Sequence, residues 1–443
     1  MSAARFASEG PLRGALQPPP DKSISHRAAI LAAMGEGETM VSRYLDAADT
    51  RSTLAAIERL GARVAETGSA DGALELRIRG AGLRGARGCR IDVGNAGTLL
   101  RILPGWLAGQ EGRRFELDGD ESVRRRPVDR VAEPLGLMGA GVTCVDGSLP
   151  PIAIVGSALR GITYELPVAS AQVKSCVLLA GLLASGRTEV LERAPSRDHT
   201  ERMLRAAGIE VEAADRGTIA LLSSGRGKRI ALGPVERIEP GEIEIPGDFS
   251  SAAFWLVAAI LVPGSQVRVE GVGLNPTRIG LLGILSRMGA PLEVEAEVPL
   301  PGGEVEGVVS ARYGPLTGTR IHPAEVPGVI DELPLIGLAG CFAEGETIVT
   351  GAQELRHKES DRIDALVEGL RAVGGDAEAR PDGFAVRGTG GISGGHLDSR
   401  ADHRLAMLGA VAGLASREGV EVEGVESAAI SYPGFEADLR SLV

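Results

Sequence analysis

Six times along the 443-residue chain, a polar and often cationic turn leads into an apolar helix, a glycine and a run of alternating polarity. The apolar stretches are 28–34, 99–108, 176–184, 252–262, 335–343 and 405–415. A glycine follows each, at 37, 112, 186, 264, 345 and 419, and then a strand-like run at 38–41, 114–117, 188–191, 266–269, 346–349 or 420–422. A helix apolar on every side must be buried on every side, and a period-2 run makes a half-buried strand. The glycines are expected to cap the helices in the left-handed conformation. A second helix–glycine–strand series interleaves with the first at Gly61, Gly139, Gly208, Gly289 and Gly374, and is absent from the sixth repeat. The spacing of roughly 75–80 residues exceeds the usual solenoid period, so each repeat reads as a small α/β module.

Six modules in a chain too long for one ordinary domain imply three in each of two domains. The stretch 238–242, Ile-Glu-Pro-Gly-Glu, reads as the linker and is short enough to leave a cleft between the halves. A net charge of −12 argues against non-specific nucleic-acid binding, and an anionic substrate would need locally clustered Lys and Arg. Cys89, Cys144, Cys176 and Cys341 lie far apart, which fits a reducing compartment and neither a disulfide framework nor a zinc site. The longest apolar run, Ala252 to Val262, is well short of the ~20 residues that span a membrane. The first twenty residues lack the apolar core of a secretory signal, so a soluble cytoplasmic protein is expected.

The chemically suggestive stretches precede the apolar helices: 21–27, 94–98, 169–174, 247–251, 330–334 and 401–404. Rotation-related modules would gather these helix N-termini and focus positive potential. Asp21 or Ser23 suits the cap of the first helix. Capping does not explain Lys22, Arg27, Lys174 and Arg404, because a cation at a helix N-terminus is disfavoured unless an anion joins it. The loop 119–127 adds Arg124, Arg125 and Arg126, and the charge run 354–362 adds Lys358 and Arg362; each by itself also fits a solvated surface. No metal-binding His-Glu-x-x-His and no phosphate-loop motif is present.

Lys22-Ser23 with Arg27, Gly94 to Thr98, Arg126-Pro127, Ser170-Ala171-Gln172, Asp331-Glu332, Lys358 to Arg362 and Asp402-His403-Arg404 resemble the enolpyruvylshikimate-phosphate synthase family. The resemblance runs from about residue 13 to the end. Ala169 to Lys174, with Arg197-Asp198-His199-Thr200, is similar to the family's second bacterial class. The resemblance implies an α/β fold of two similar domains, each of three βαβαββ repeats, with the active site in the interdomain cleft. Residues 18–239 would form one domain, and 1–17 with 240–443 the other. It implies a monomer that transfers the enolpyruvyl group of phosphoenolpyruvate to shikimate 3-phosphate, with no metal and no cofactor.

By matched position, Lys22, Ser23, Arg27, Ser170, Ala171, Gln172, Ser196, Arg197, Asp331 and Lys358 would hold shikimate 3-phosphate. Lys22, Gly97, Arg126, Gln172, Arg362 and Arg404 would hold phosphoenolpyruvate. Asp331 would be the general base, with Glu359 and Lys22 handling protons on the other substrate. From the residues alone, Asp331 also fits a helix cap and Glu359 an ion pair with Arg362. His26, His199 and His403 read as packing or hydrogen-bonding residues. Two positions depart from the family's first class: Ile430-Ser431-Tyr432-Pro433 lacks its lysine, and Glu354 stands where it has asparagine. A sister transferase acting on UDP-N-acetylglucosamine is the nearest alternative, but it carries Asn where Ser23 stands and a cysteine in the loop that here spans 112–127 without one. A non-catalytic anion-binding protein on the same fold is the other alternative.

Overall fold

The computed structural model describes residues 2–70, 72–215 and 227–443. Five of the six repeats each build one four-stranded sheet to the same plan, and the sixth builds a three-stranded one. In the second repeat Arg90–Asp92 lies parallel to Arg114–Asp118, which pairs antiparallel with Leu149–Val155, and that strand with Gly141–Val145. The third repeat follows with Thr163–Glu165, Thr188–Glu192, Lys228–Leu232 and Val211–Asp215, and the fifth with Arg320–Ile321, Glu346–Val349, Gly383–Arg387 and Asp376–Arg380. An apolar helix joins the parallel strands and an amphipathic helix joins the antiparallel ones, which is a βαβαββ module.

The chain divides into two compact units, one of Pro20–Ile245 with Pro299–Glu304, the other of Met1–Pro19, Pro246–Val298 and Val305–Val443. In the first unit the leading strand of the first sheet comes from far downstream: Glu242–Glu244 lies parallel to Glu38–Leu45. Part of the stretch expected to be a linker is therefore sheet. The backbone N–H groups of Glu36 and Met40 also donate to the carbonyls of Ile238 and Gly241. In the second unit Arg13–Leu16 leads the sheet of Gln266–Gly273, and Ala3–Phe6 pairs antiparallel with Val420–Glu423.

The apolar helices are observed at Lys22–Met34, Ala171–Gly181, Phe249–Leu261, Leu333–Phe342 and His403–Ala415, with Gly97–Ile102 and Pro104–Ala108 in place of one continuous helix. Pro104 lacks the N–H that would continue the turn. All residues of Phe249–Leu261 are buried, as an all-round apolar surface demands. In the second unit the three apolar helices pack on one another, and in the first Gly97–Ile102 touches both Lys22–Met34 and Ala171–Gly181. The expected glycine caps prove to be turn residues. Gly112, Gly186, Gly264, Gly345 and Gly419 have φ between 72° and 91° but lie beyond the helix ends, and Gly37 has no positive φ. The left-handed caps belong to the second series, as at Gly61 and Gly139.

Small residues set how closely the central helices approach. A Cβ on Gly105 would stand 2.1 Å from the carbonyl oxygen of Cys176, so Pro104–Ala108 and Ala171–Gly181 meet backbone to backbone. Gly105→Ala should force them apart at a cost of ~1–3 kcal/mol, the usual penalty of overpacking. Thermal unfolding reads this as a lowered midpoint, and an unchanged midpoint would show that the contact is not tight.

Candidate active site

In the first unit Asp21, not Ser23, caps the first helix, its Oδ1 accepting from Ile24 N at 2.8 Å. Lys22 then stands on the opening turn, with Nζ 3.1 Å from the buried Asp49 Oδ2. One turn on, Arg27 is buried. Its Nε donates to Thr200 Oγ1 at 2.9 Å, Nη2 to Ser175 Oγ at 3.1 Å and Nη1 to the Ser23 carbonyl at 2.9 Å. Burial, with the nearby charge of Arg197, pulls its pKa down to about 10, which leaves it cationic at neutral pH.

Ser170 caps the third apolar helix. Gln172, two residues on, donates to Thr98 Oγ1 at 3.1 Å and accepts from Arg101 at 3.3 Å. Of the three consecutive arginines only Arg126 turns inward. Arg124 pairs with Asp118 at 2.7 Å, and Arg125 is exposed beside Glu121. Arg126 donates to Ser122 Oγ at 2.9 Å and to Asn95 Oδ1 at 3.3 Å. A Cβ on Gly97 would lie 2.6 Å from Arg126 Nη1, so this glycine leaves the room that the guanidinium occupies.

Lys174 does not behave as expected. It is buried, and its ammonium lies 3.2 Å from Glu192 and 2.8 Å from Glu201, so protein carboxylates supply its counter-charge. Ser196 donates both its N–H, at 3.2 Å, and its hydroxyl to Glu192 Oε1. Neither donor points at a ligand in this arrangement. Arg197 lies half-buried beside it.

In the second unit the site gathers around Arg362, whose side chain is 1% exposed. Its Nε and Nη2 reach Asp402 at 2.7 and 3.3 Å, Nη2 also reaches Glu359 at 2.5 Å, and Nη1 reaches Asp331 at 3.4 Å. Burial disfavours the guanidinium charge, but these carboxylates outweigh it and hold the pKa above its ordinary range. Burial likewise opposes ionisation of Asp402, yet Arg362 keeps its carboxyl below the usual value. Asp331 also meets Lys358 at 3.4 Å and Arg404 at 3.7 Å. Asp331 is not a helix cap, because Glu332 occupies that position of Leu333–Phe342. The Glu359–Arg362 ion pair is present.

The sequence reading missed Asp49, Arg101, Glu192, Glu201 and a buried cluster beside Asp331. In that cluster Glu332 Oε1 accepts from Ser250 Oγ at 2.5 Å and Arg278 Nη1 at 2.9 Å, and lies 3.8 Å from Arg404. Glu332 follows Asp331 directly and offered a signal; a lone arginine at 278 offered none. Among the described residues no group of three His, Cys, Asp or Glu side chains could hold a metal, and no helix is long and apolar enough to cross a membrane.

Two units of βαβαββ modules, with cations and carboxylates at the helix starts, are the build of an enolpyruvyl transferase. The enolpyruvyl transferase NikO from Streptomyces tendae shares this fold, with a TM-score of 0.77 at 18% identity over 99% of this chain and 96% of its own. A family model described as EPSP synthase (3-phosphoshikimate 1-carboxyvinyltransferase) matches residues 7–439. A 3-phosphoshikimate 1-carboxyvinyltransferase of Thermus thermophilus is 48% identical over 447 residues, covering 100% of this chain and 99% of that protein. One from a Synechococcus strain is 43% identical over 444 residues, covering 100% and 98%. The structure of an EPSP synthase from Acinetobacter baumannii superposes with a TM-score of 0.84 at 38% identity, covering 99% and 98%. The chain belongs to the EPSP synthase family.

His26, one turn along from Lys22, gives the site's surroundings a pH limit. It is buried, its Nδ1 lies 2.6 Å from Thr53 Oγ1, and burial lowers its pKa from 6.5 to about 3. The unfolded chain therefore takes up the proton first as pH falls. The contribution is complete above 6.5 and is lost progressively toward 3, at up to ~1.4 kcal/mol per pH unit. Denaturant unfolding followed from pH 7 to 4 should show that loss in the wild type and a shallower one in His26→Gln. Parallel curves would show that His26 takes no part.

Proposed function

We propose that the chain transfers the enolpyruvyl group of phosphoenolpyruvate to the 5-hydroxyl of shikimate 3-phosphate, releasing phosphate, in the pathway that leads to aromatic amino acids. Family membership over residues 7–439 supports the reaction. The observation that carries the mechanism is Asp331, a carboxylate with Lys358, Arg362 and Arg404 within 3.7 Å. Those cations favour its charged form, which is the form able to take a proton. Ser23 after Lys22 favours shikimate 3-phosphate over the UDP-sugar acceptor of the sister class.

The reaction is an addition followed by an elimination. Asp331 takes the proton of the 5-hydroxyl as its oxygen bonds to the central carbon of phosphoenolpyruvate, whose methylene carbon gains a proton. Loss of phosphate and of one methyl proton restores the vinyl group. Glu359 and Lys22 manage these last protons. Lys22, Ser23, Arg27, Ser170, Ala171, Gln172, Arg197, Lys358 and Asp331 serve shikimate 3-phosphate, with Ser196 supporting that set. Lys22, Gly97, Arg126 and Gln172 serve phosphoenolpyruvate, with Arg362 and Arg404. Placing fixed cations where charge gathers is the main means of stabilising such a transition state. The same family resemblance supports a monomer working in the cytoplasm.

Asp331→Asn keeps shape and hydrogen bonding but cannot accept the proton. It should lower turnover ~10²–10⁴-fold, the usual loss of a general base, with little change in shikimate 3-phosphate affinity. Phosphate release from phosphoenolpyruvate should require shikimate 3-phosphate and not respond to UDP-N-acetylglucosamine. Wild-type turnover in the variant, or the opposite acceptor preference, would contradict the assignment.

Gly97 makes a second test, because its Cβ would press on Arg126. Glyphosate competes with phosphoenolpyruvate in the family and is the longer molecule. Gly97→Ala should raise the glyphosate inhibition constant by about tenfold more than the phosphoenolpyruvate KM, a difference of ~1.4 kcal/mol. Equal weakening of both, or a wild type indifferent to millimolar inhibitor, would show a differently shaped pocket.

A further inference from the structure

The buried cluster of Lys174, Glu192 and Glu201 has no part in the roles above, yet it touches the segment that carries Ser196 and Arg197. All three side chains are nearly inaccessible, at 1%, 1% and 3% exposure, with the Lys174 amine between two carboxyl groups. Isolated apolar packing would stabilise the fold as well or better, because buried ion pairs recover little beyond their desolvation. The geometry indicates what the charges hold. Glu192 Oε1 accepts from both the N–H and the hydroxyl of Ser196, and Lys174 Nζ reaches Glu192 Oε2 and the Ser196 carbonyl, each at 3.2 Å. Every polar atom of Ser196 is thereby tied to one ion pair.

A second tie runs in parallel. Ser175, next to Lys174 on the same helix, has its Oγ 2.7 Å from Thr200 Oγ1, and Arg27 donates to both hydroxyls. The helix Ala171–Gly181 opens with Ala171 and Gln172 and carries Lys174 and Ser175 on its next turn. It therefore holds the segment 196–200 at both ends, with Arg197 between them.

We propose that Glu192, clamped by Lys174, is a positioning residue for the shikimate 3-phosphate anion site, fixing Ser196 so that the neighbouring Arg197 stands in register with Arg27 and Ser170. Ser196 in this arrangement acts through Glu192 and does not itself donate to the phosphate. Fixing a cationic side chain in advance lowers the ordering cost of binding, which favours affinity and not the chemical step. Burial raises the Glu192 pKa, while the two carboxylates, working against burial, raise that of Lys174. The proposal rests on the assignment of Arg27, Ser170 and Arg197 to shikimate 3-phosphate.

Glu192→Gln leaves Lys174 with Glu201, a balanced pair, so the variant should fold with a thermal midpoint no lower than that of the wild type. Calorimetric titration with shikimate 3-phosphate alone should show its Kd raised about tenfold. With that substrate saturating, kcat and the KM for phosphoenolpyruvate should stay within about twofold. Glu201→Gln removes the same charge but no bond to Ser196, and should bind like the wild type. Ser196→Ala should weaken binding about fivefold and, combined with Glu192→Gln, should add nothing further. A Kd within twofold in Glu192→Gln, equal losses in Glu192→Gln and Glu201→Gln, or additive losses in the double variant would each overturn the proposal. Should Glu192→Gln not fold, binding by Ser196→Ala as tight as the wild type's would overturn it. A wild type that does not bind shikimate 3-phosphate would instead refute the substrate assignment, so the two failures are distinguishable.

Discussion

Arg362 is a guanidinium with almost no water around it, and the second unit's site depends on that fact. A cation removed from water must find its counter-charge in the protein, and here three acidic residues supply it. Asp402 does so in a two-point grip and is wholly buried, so the pair fixes the start of His403–Ala415 relative to Arg362–Ala372. Glu359 and Asp331 take the remaining donors and are the more accessible members, with 25% and 11% of their side chains exposed. The buried grip is thus structural, and the partly exposed carboxylates are the two to which the proposed mechanism gives proton transfer. A pair of this kind is weak evidence of stability in itself. Its value here is geometric, because Asp331 is held by cations from two different helix starts.

The first unit solves the same problem in another way. Lys22, Arg27 and Lys174 lie in the first two turns of apolar helices, near ends where helix dipoles already favour an anion. Lys22 is answered by Asp49 and Lys174 by Glu192 and Glu201, while Arg27 and Arg126 are held chiefly by hydroxyl, carbonyl and amide oxygens.

The repeats and their helices were legible because periodicity and capping are local. Asp21, Ser170, Asp248 and Asp402 each cap the helix that their sequence position announces. What escaped was non-local. Residues 238–242 looked like a linker because the strand that Glu242 opens, Glu242–Glu244, has its partner far upstream, at Glu38–Leu45. Lys174 looked like a substrate cation because Glu192 and Glu201 gave no sign of reaching it. Arg278, Ser250 and Glu332 meet only in space, so no spacing rule could join them. The family resemblance supplied the roles at the site, and the structure showed which of those side chains already have protein partners.

The most direct test of the central claim is to run the reaction in deuterium oxide and identify the product by nuclear magnetic resonance. Addition followed by elimination requires the methylene carbon of phosphoenolpyruvate to take a solvent proton and return one of three. The account predicts a carboxyvinyl ether on the 5-oxygen of shikimate 3-phosphate, with deuterium in its vinyl methylene and one phosphate released per ether. An ether free of deuterium would contradict the mechanism, and no ether on that oxygen would contradict the function.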